Sequence, residues 1–333
     1  MRLPRFLVLG AALTALSVSA ACGGESLEES PQADPDSSPS GDNGSKSEEG
    51  DGGSDDKGEL VLSGQSFTEM QVMAAMYELA LEDAGYDVTP KLVETRDVYL
   101  AQMSDGAVDV VPEYVAGIAD YLNTEQNGPD AEPITSNDPQ ESLQALEPLA
   151  EKAGITMLEP SEATDQNAFF VTEDFAAEND LTTLSDLAAL GDPIKLAAAP
   201  DCVGRDDCEK GLEQVYGLDI SEVVPLGFAT AQTKDAVIEG EVELGQTGTT
   251  DGTLAAQGLV LLEDDKGIQP AQNLIPAVNS EFLNANPDVA DTLNEVSATL
   301  TTEDLAKMNA QVDVNREKPE DVAQAYLEEK GLL

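Results

Sequence analysis

The residues of this 333-residue chain that could do chemistry are mostly carboxylates. There are 66 Asp and Glu against 16 Lys and Arg, a formal charge of −50, and no histidine. Without an imidazole, Ser–His–Asp and Cys–His machinery and every His-dependent metal site are excluded. Paired carboxylates could serve as general acid and base, but in a chain this acidic a pair reads first as a solvated face. No G-x-x-x-x-G-K-[ST] or G-x-G-x-x-G phosphate cradle occurs. The loop Asp201 to Asp207 lacks the alternating oxygen ligands of an EF-hand. No cofactor or metal is expected, and the acidic balance argues against nucleic acid, which needs a basic footprint. Cys202 and Cys208 have five residues between them. A disulfide is the first expectation in an oxidising compartment; a metal site competes, short of soft ligands. The chemistry left is that of binding, polar groups converging in a cleft, with a His-independent extracellular enzyme as an alternative.

Positioning such groups needs a scaffold, and Leu60 to Gly117 supplies its pattern. Leu60 to Leu62 reads as a short buried strand, and Ser66-Phe67-Thr68-Glu69 spells a capping box in which Ser66 and Glu69 bond reciprocally. Met70, Met73, Ala74, Tyr77 and Leu81 follow at helical spacing, with Gly85 at the left-handed C-cap position. A strand around Val88 to Val93, a helix around Val98 to Met103 and a strand at Val108 to Val111 complete β-α-β-α-β, the pattern of a parallel sheet with helices on its faces. Ligands of such sheets sit beyond the strand C-termini. There the chain carries Gln65, Ser66 and Thr68, then Glu113 and Tyr114.

Further on, Asn123 to Asn137 is polar and reads as a surface excursion, followed by a helix around Pro139 to Ala153 and a strand at Ile155 to Leu158. The alternation then resumes, with strands at Ile194 to Ala198, Val223 to Phe228 and Val242 to Thr247. "AVIEGEVELGQT" echoes "LAQMSDGAVDVVPE", as two similarly built lobes would produce. Pro287 to Leu300, Glu303 to Gln311 and Pro319 to Lys330 have helical apolar spacing, with Pro319 suited to a first helical position.

"SGQSFTEM", "SDGAVDVVPEY" and "LVLLEDDKG" resemble the solute-binding proteins of ABC importers, in the branch that takes up glycine betaine, choline and other osmoprotectants. The branch's usual versions are approximately GSKNFTEQ, SGEIDIYPEYTG and LVVLEDDKG. The resemblance runs from about Leu60 to Leu333 and implies a two-lobed, periplasmic-binding-protein-like (type II) α/β fold. Each lobe would be a mostly parallel sheet flanked by helices: lobe one over 59–163, lobe two over 164–266, and a return to lobe one over 267–333. It further implies a small solute held between lobes that close on a hinge, without catalysis, with an ABC permease and its ATPase as partners and a monomeric state. A non-transporting sensor or surface binding protein is the alternative.

The resembling family holds quaternary ammonium ligands in an aromatic cage, since a methylated cation is held by ring faces. The tyrosine of PEY is kept as Tyr114, whereas other cage positions fall at Asn167, Gly248 and Gln272, and a family lysine falls at Gln65. Asp165 of "ATDQNAFFVT" matches the ligand-facing aspartate where the chain crosses between lobes, and Arg205 matches an arginine that can bind a ligand carboxylate bidentately. Gln65, Asn167 and Gln272 offer amide donors and acceptors suited to a hydroxyl- or amine-bearing solute. Phe67, Phe169, Phe170 and Phe228 remain as other rings, of which Phe169 and Phe170 read as a buried strand.

At the N-terminus, Arg2 and Arg5 precede an apolar run from Phe6 to Val18 and the small-residue site Ala20-Ala21-Cys22, a signal peptide over 1–21. Cys22 is the expected lipidation site, anchoring the protein at the extracellular face of the cytoplasmic membrane; ordinary secretion is the alternative, and Ser19 stands where such signals usually have Leu. Residues 22–58 are rich in Gly, Ser, Pro, Asp and Glu and cannot bury enough apolar surface to order, so an acidic tether is expected, or a partner-binding tail.

Overall fold

The computed structural model describes residues 57–333; the signal peptide expected over 1–21, the expected lipidation site Cys22 and nearly all of the tether expected over 22–58 lie outside the described residues. Among the described residues, no helix is long and apolar enough to cross a membrane.

Two five-stranded sheets organise the chain. The first is built from β1 (Glu59–Gln65), β2 (Asp87–Val93), β3 (Val110–Tyr114), β4 (Ile155–Met157) and the late strand β10 (Leu274–Asn279), in the order β2-β1-β3-β10-β4. The second holds β5 (Asn167–Thr172), β6 (Pro193–Ala198), β7 (Asp219–Pro225), β8 (Leu244–Gly248) and β9 (Leu259–Leu262), in the order β7-β6-β8-β5-β9. In each sheet one strand runs against the other four: β10 is antiparallel to both β3 and β4, and β5 to both β8 and β9. These are the two strands that the chain enters from the opposite lobe, which is why they alone are reversed. The two crossing segments pair with each other: Thr164 bridges Asn273, Asp165 N–H donates to Gln272 C=O at 3.1 Å, and Leu274 N–H to Ala163 C=O at 3.0 Å.

The helix α1 (Thr68–Asp83) is buried on more than its expected stripe. Val72, Ala75 and Met76 are covered along with Met70, Met73, Tyr77 and Leu81, because the C-terminal helices Asp288–Ser297, Thr302–Asp313 and Pro319–Lys330 pack over it. A helix apolar on most sides belongs inside a core. Phe169 and Phe170 are buried in β5, each in the core of the second lobe. Between β1 and β3 run α2 (Arg96–Ser104) and β2, and β3 leads directly into α3 (Val115–Asn127). That helix extends into the stretch expected as a surface excursion, where Asn123 Nδ2 donates to Glu132 C=O at 2.9 Å.

Three local expectations are corrected. The capping box does not form: Phe67 is the N-cap, with no side-chain bond to the helix, and Glu69 is turned inward to buried partners. The third strand runs to Tyr114 rather than stopping at Val111, since Val110 to Tyr114 pair with β10. The strand expected to reach Phe228 ends at Pro225, so Phe228 is released into a loop, 46% exposed.

Candidate functional site

Where the crossing segments meet, residues of both lobes face each other across two cavities of about 400 and about 310 Å³ that share Asp165 and Phe228. The larger is lined by Phe67, Thr68, Glu69 and Asn309 of the first lobe and by Phe228, Lys234, Thr250 and Asp251 of the second. The smaller is bordered by Asp120, at α3, and by Asn167, Arg205, Asp207, Gln269 and Gln272. A hollow of about 440 Å³ beside β4 is lined by first-lobe residues only, and a two-lobed mechanism gives it no role.

Phe67 and Phe228 are the two rings on this cleft, 42% and 46% exposed and contributed by opposite lobes. Asp165 lies on the crossing segment between them. Burial, then the neighbouring Glu69 charge, pushes the Asp165 carboxyl up to about 7, while the Thr250 hydroxyl bonds to it and opposes the shift. Burial also raises Glu69, against hydrogen bonds from Tyr114, Thr250 and Asn309. Two like carboxyls near one another in a partly dry site cannot both ionise freely. Gly248 makes room for this arrangement: a Cβ there would sit 2.9 Å from Asp165 Oδ1 and 3.6 Å from the Phe228 ring. Gly252, a few residues on, lets the second lobe approach the helix Thr302–Asp313, since a Cβ would strike its backbone at Ala306 and Ala310.

The expected site residues divide. Thr68 and Asp165 line the larger cavity, and Asp165, Asn167, Arg205 and Gln272 the smaller. Gln65 and Ser66 line neither; Ser66 is exposed, and its carbonyl accepts from Gln71 Nε2. Tyr114 is buried behind Glu69, to which its hydroxyl donates at 2.5 Å, and its ring lines neither cavity. Glu113 is a structural anchor: it accepts from Arg96 at 2.8 and 3.0 Å and from the Tyr99 hydroxyl.

Several polar groups are already engaged. Arg205 Nε donates to Asp207 Oδ1 at 2.8 Å and its NH1 to Asp201 at 2.9 Å, so its fork is committed within its own loop. Cys202 and Cys208 close that loop as a disulfide with S–S 2.01 Å. Asn167 Nδ2 donates to Asp207 at 3.0 Å, Gln272 Oε1 accepts from Gly117 N–H at 3.0 Å, and Thr68 Oγ1 donates to Asp313 at 2.8 Å. Lys234, 2.6 Å from Asp251, is likewise paired, and bonds from Lys234, Thr247 and Thr253 hold Asp251 below the usual carboxylate range although burial pushes the other way.

Glu69, Asp207, Asp120 and Asn309 were not expected at the site. Asn309 did leave a signal: with Leu305, Met308 and Val312 it occupies an apolar stripe, where an amide must find buried partners. Glu69 left an ambiguous one, because an acid at that spacing from a serine also fits a helix cap.

Residues 58–329 match the family described as the substrate binding domain of ABC-type glycine betaine transport systems. The glycine betaine-binding protein YehZ of Escherichia coli (strain K12) is 29% identical over 273 residues, covering 79% of this chain and 88% of that protein. The carnitine transport binding protein OpuCC of Listeria monocytogenes is 25% identical over 285 residues, covering 84% and 89%. The solved structure of apo YehZ from E. coli superposes with a TM-score of 0.72 at 27% identity, covering 82% of this chain and 99% of that one.

Proposed function

The chain belongs to the family of substrate-binding domains of ABC-type glycine betaine transport systems, and from that premise we propose that it captures a small osmoprotectant-like solute between its two lobes and delivers it to a membrane permease. The observation that carries this reading is the position of Asp165: on the crossing segment, in both cavities, with Phe67 and Phe228 reaching the cleft from opposite lobes. An aromatic pair with a carboxylate beside it suits an organic cation or the cationic end of a zwitterion. In this reading Phe67 and Phe228 supply the rings, and Tyr114 supports the site from behind through its hydrogen bond to Glu69.

In this reading the chain binds without turnover, as a monomer, lipid-anchored at Cys22 on the extracellular face of the membrane, with an ATPase driving the permease. Lobe one comprises 59–163 and 267–333, and lobe two 164–266. The crossing segments form the hinge. Small-angle scattering with and without a panel of osmolytes tests it: the expected outcome is a smaller radius of gyration with the solute that binds. A chain that binds a solute tightly while its scattering stays unchanged refutes closure, and conversion of that solute during incubation refutes binding without turnover.

A further inference from the structure

Among the described residues, Arg205 is the one cation that borders the smaller cavity, which it shares with Asp165 and Phe228, and it is already matched to a carboxylate. Its Nε donates to Asp207 Oδ1 at 2.8 Å and its Nη2 to Asp207 Oδ2. This is the two-pronged match by which a guanidinium recognises a carboxylate of any origin. Its Nη1 donates to Asp201 at 2.9 Å, so all three guanidinium nitrogens are in use. Asp207 is no loose surface partner. Its side chain is 19% exposed, Asn167 Nδ2 donates to its Oδ2 at 3.0 Å, and Gln269 Nε2 donates to its C=O at 2.8 Å. The next residue, Cys208, is buried and bonded to Cys202, which closes the loop around Arg205 and Asp207 together.

A solute carboxylate that reaches Arg205 across this cavity must take the edge that Asp207 holds, or join two carboxylates already on one cation. The first route strips Asp207 of its cation, and the second crowds like charges. A solute with the same cationic end and a hydroxyl in place of the carboxylate meets neither cost, since a hydroxyl can donate to Asp207 where it stands. Resting on the reading of the cleft as the solute site, we propose that Asp207 is a specificity-determining residue: it occupies Arg205 as a solute carboxylate would, and so lowers the affinity for zwitterions relative to cations that carry no carboxylate. Both classes enter the cleft, with the cationic end at Asp165 between Phe67 and Phe228, and Asp207 sets the ratio between them. The preference thus resides in a competitor built into the cysteine loop, with Arg205 still the group competed for.

Calorimetric titration of the full chain with glycine betaine and with choline tests this. The two share a trimethylammonium end and differ at the other, carboxylate against hydroxymethyl, so the ratio of their affinities isolates that end. In Asp207→Ala the ratio of glycine betaine to choline affinity should rise at least tenfold over the unmodified chain. Asp207→Asn, which keeps the shape and an acceptor for Asn167, should move it the same way by a smaller factor, so the test stands even where the alanine variant does not fold. A ratio that stays level or falls in these variants overturns the proposal and leaves the solute-site reading standing. Adding Arg205→Lys to Asp207→Ala keeps the positive charge and removes the fork. The ratio should then drop at least threefold; a ratio that stays high makes the gain one of net charge alone and also overturns the proposal. Silence from both solutes at millimolar concentration, in the unmodified chain and the variants alike, overturns the proposal and the solute-site reading together.

Discussion

Replacing Asp165 by Asn keeps the shape of the side chain and removes one carboxyl of the pair, so its effect on stability can be worked from the structure. Burial and the Glu69 charge raise Asp165 from its ordinary 3.8 to about 7 in the folded chain. A carboxyl raised on folding contributes stability that is complete below its unfolded pKa and is lost as pH climbs through its folded pKa. At pH 5 the unfolded chain has already ionised at this position and the folded chain has not, which costs the native state about 1–2 kcal/mol; by pH 8 the cost approaches about 4 kcal/mol. The advantage of Asp165→Asn over the unmodified chain should therefore grow by about 2–3 kcal/mol between pH 5 and pH 8. Comparing the two proteins at each pH cancels the self-repulsion that the remaining acidic residues impose on both. Urea unfolding followed by far-ultraviolet circular dichroism is the assay, since the chain has no Trp. A stability gap no larger at pH 8 than at pH 5 would refute the buried-pair reasoning.

Two further outcomes are expected. Phe67→Ala and Phe228→Ala should each weaken the bound solute about 2- to 30-fold while leaving the urea midpoint near that of the unmodified chain, because both rings are nearly half exposed; unaltered affinity in both variants would remove the rings from the site. Converting Cys202 and Cys208 together to Ser should cost about 2 kcal/mol of stability through the lost loop constraint, and should weaken the solute because the loop holds Asp207 against Asn167; urea unfolding and calorimetry check the two effects separately.

How much of this was legible in the sequence depended on the range of the interaction. The β-α alternation, the buried Phe169 and Phe170 and the C-terminal helix from Pro319 are set by local spacing, and the structure has them there. The roles of the polar residues were not, because each depends on a partner far along the chain. Glu69 meets Tyr114 and Asn309, 45 and 240 residues away, and no local pattern announces either bond. Gln272 looked like a free amide but has its oxygen on the Gly117 N–H. Arg205 looked like a carboxylate receptor. Its own loop supplies Asp201 and Asp207 as closer acceptors, and those are visible in the sequence, but only a fold turns that proximity into a committed fork.

The same long-range arrangement gives the proposed closure an electrostatic cause. Asp165 sits on a crossing segment, with Glu69 of the first lobe on one side and Asp251 of the second on the other, and both charges bear on it. Lys234 offsets Asp251, whereas Glu69 has neutral partners in Tyr114 and Asn309 and no cation among the described residues. Bringing the lobes together with Asp165 ionised would therefore concentrate negative charge in a drier site, at a cost that rises as the effective dielectric falls. A cation placed at Asp165 reverses the sign of that cost, so the attraction grows as the lobes exclude water. The charge that selects the solute would then also favour the closed state, and a neutral solute of equal size would fill the cleft without drawing it shut.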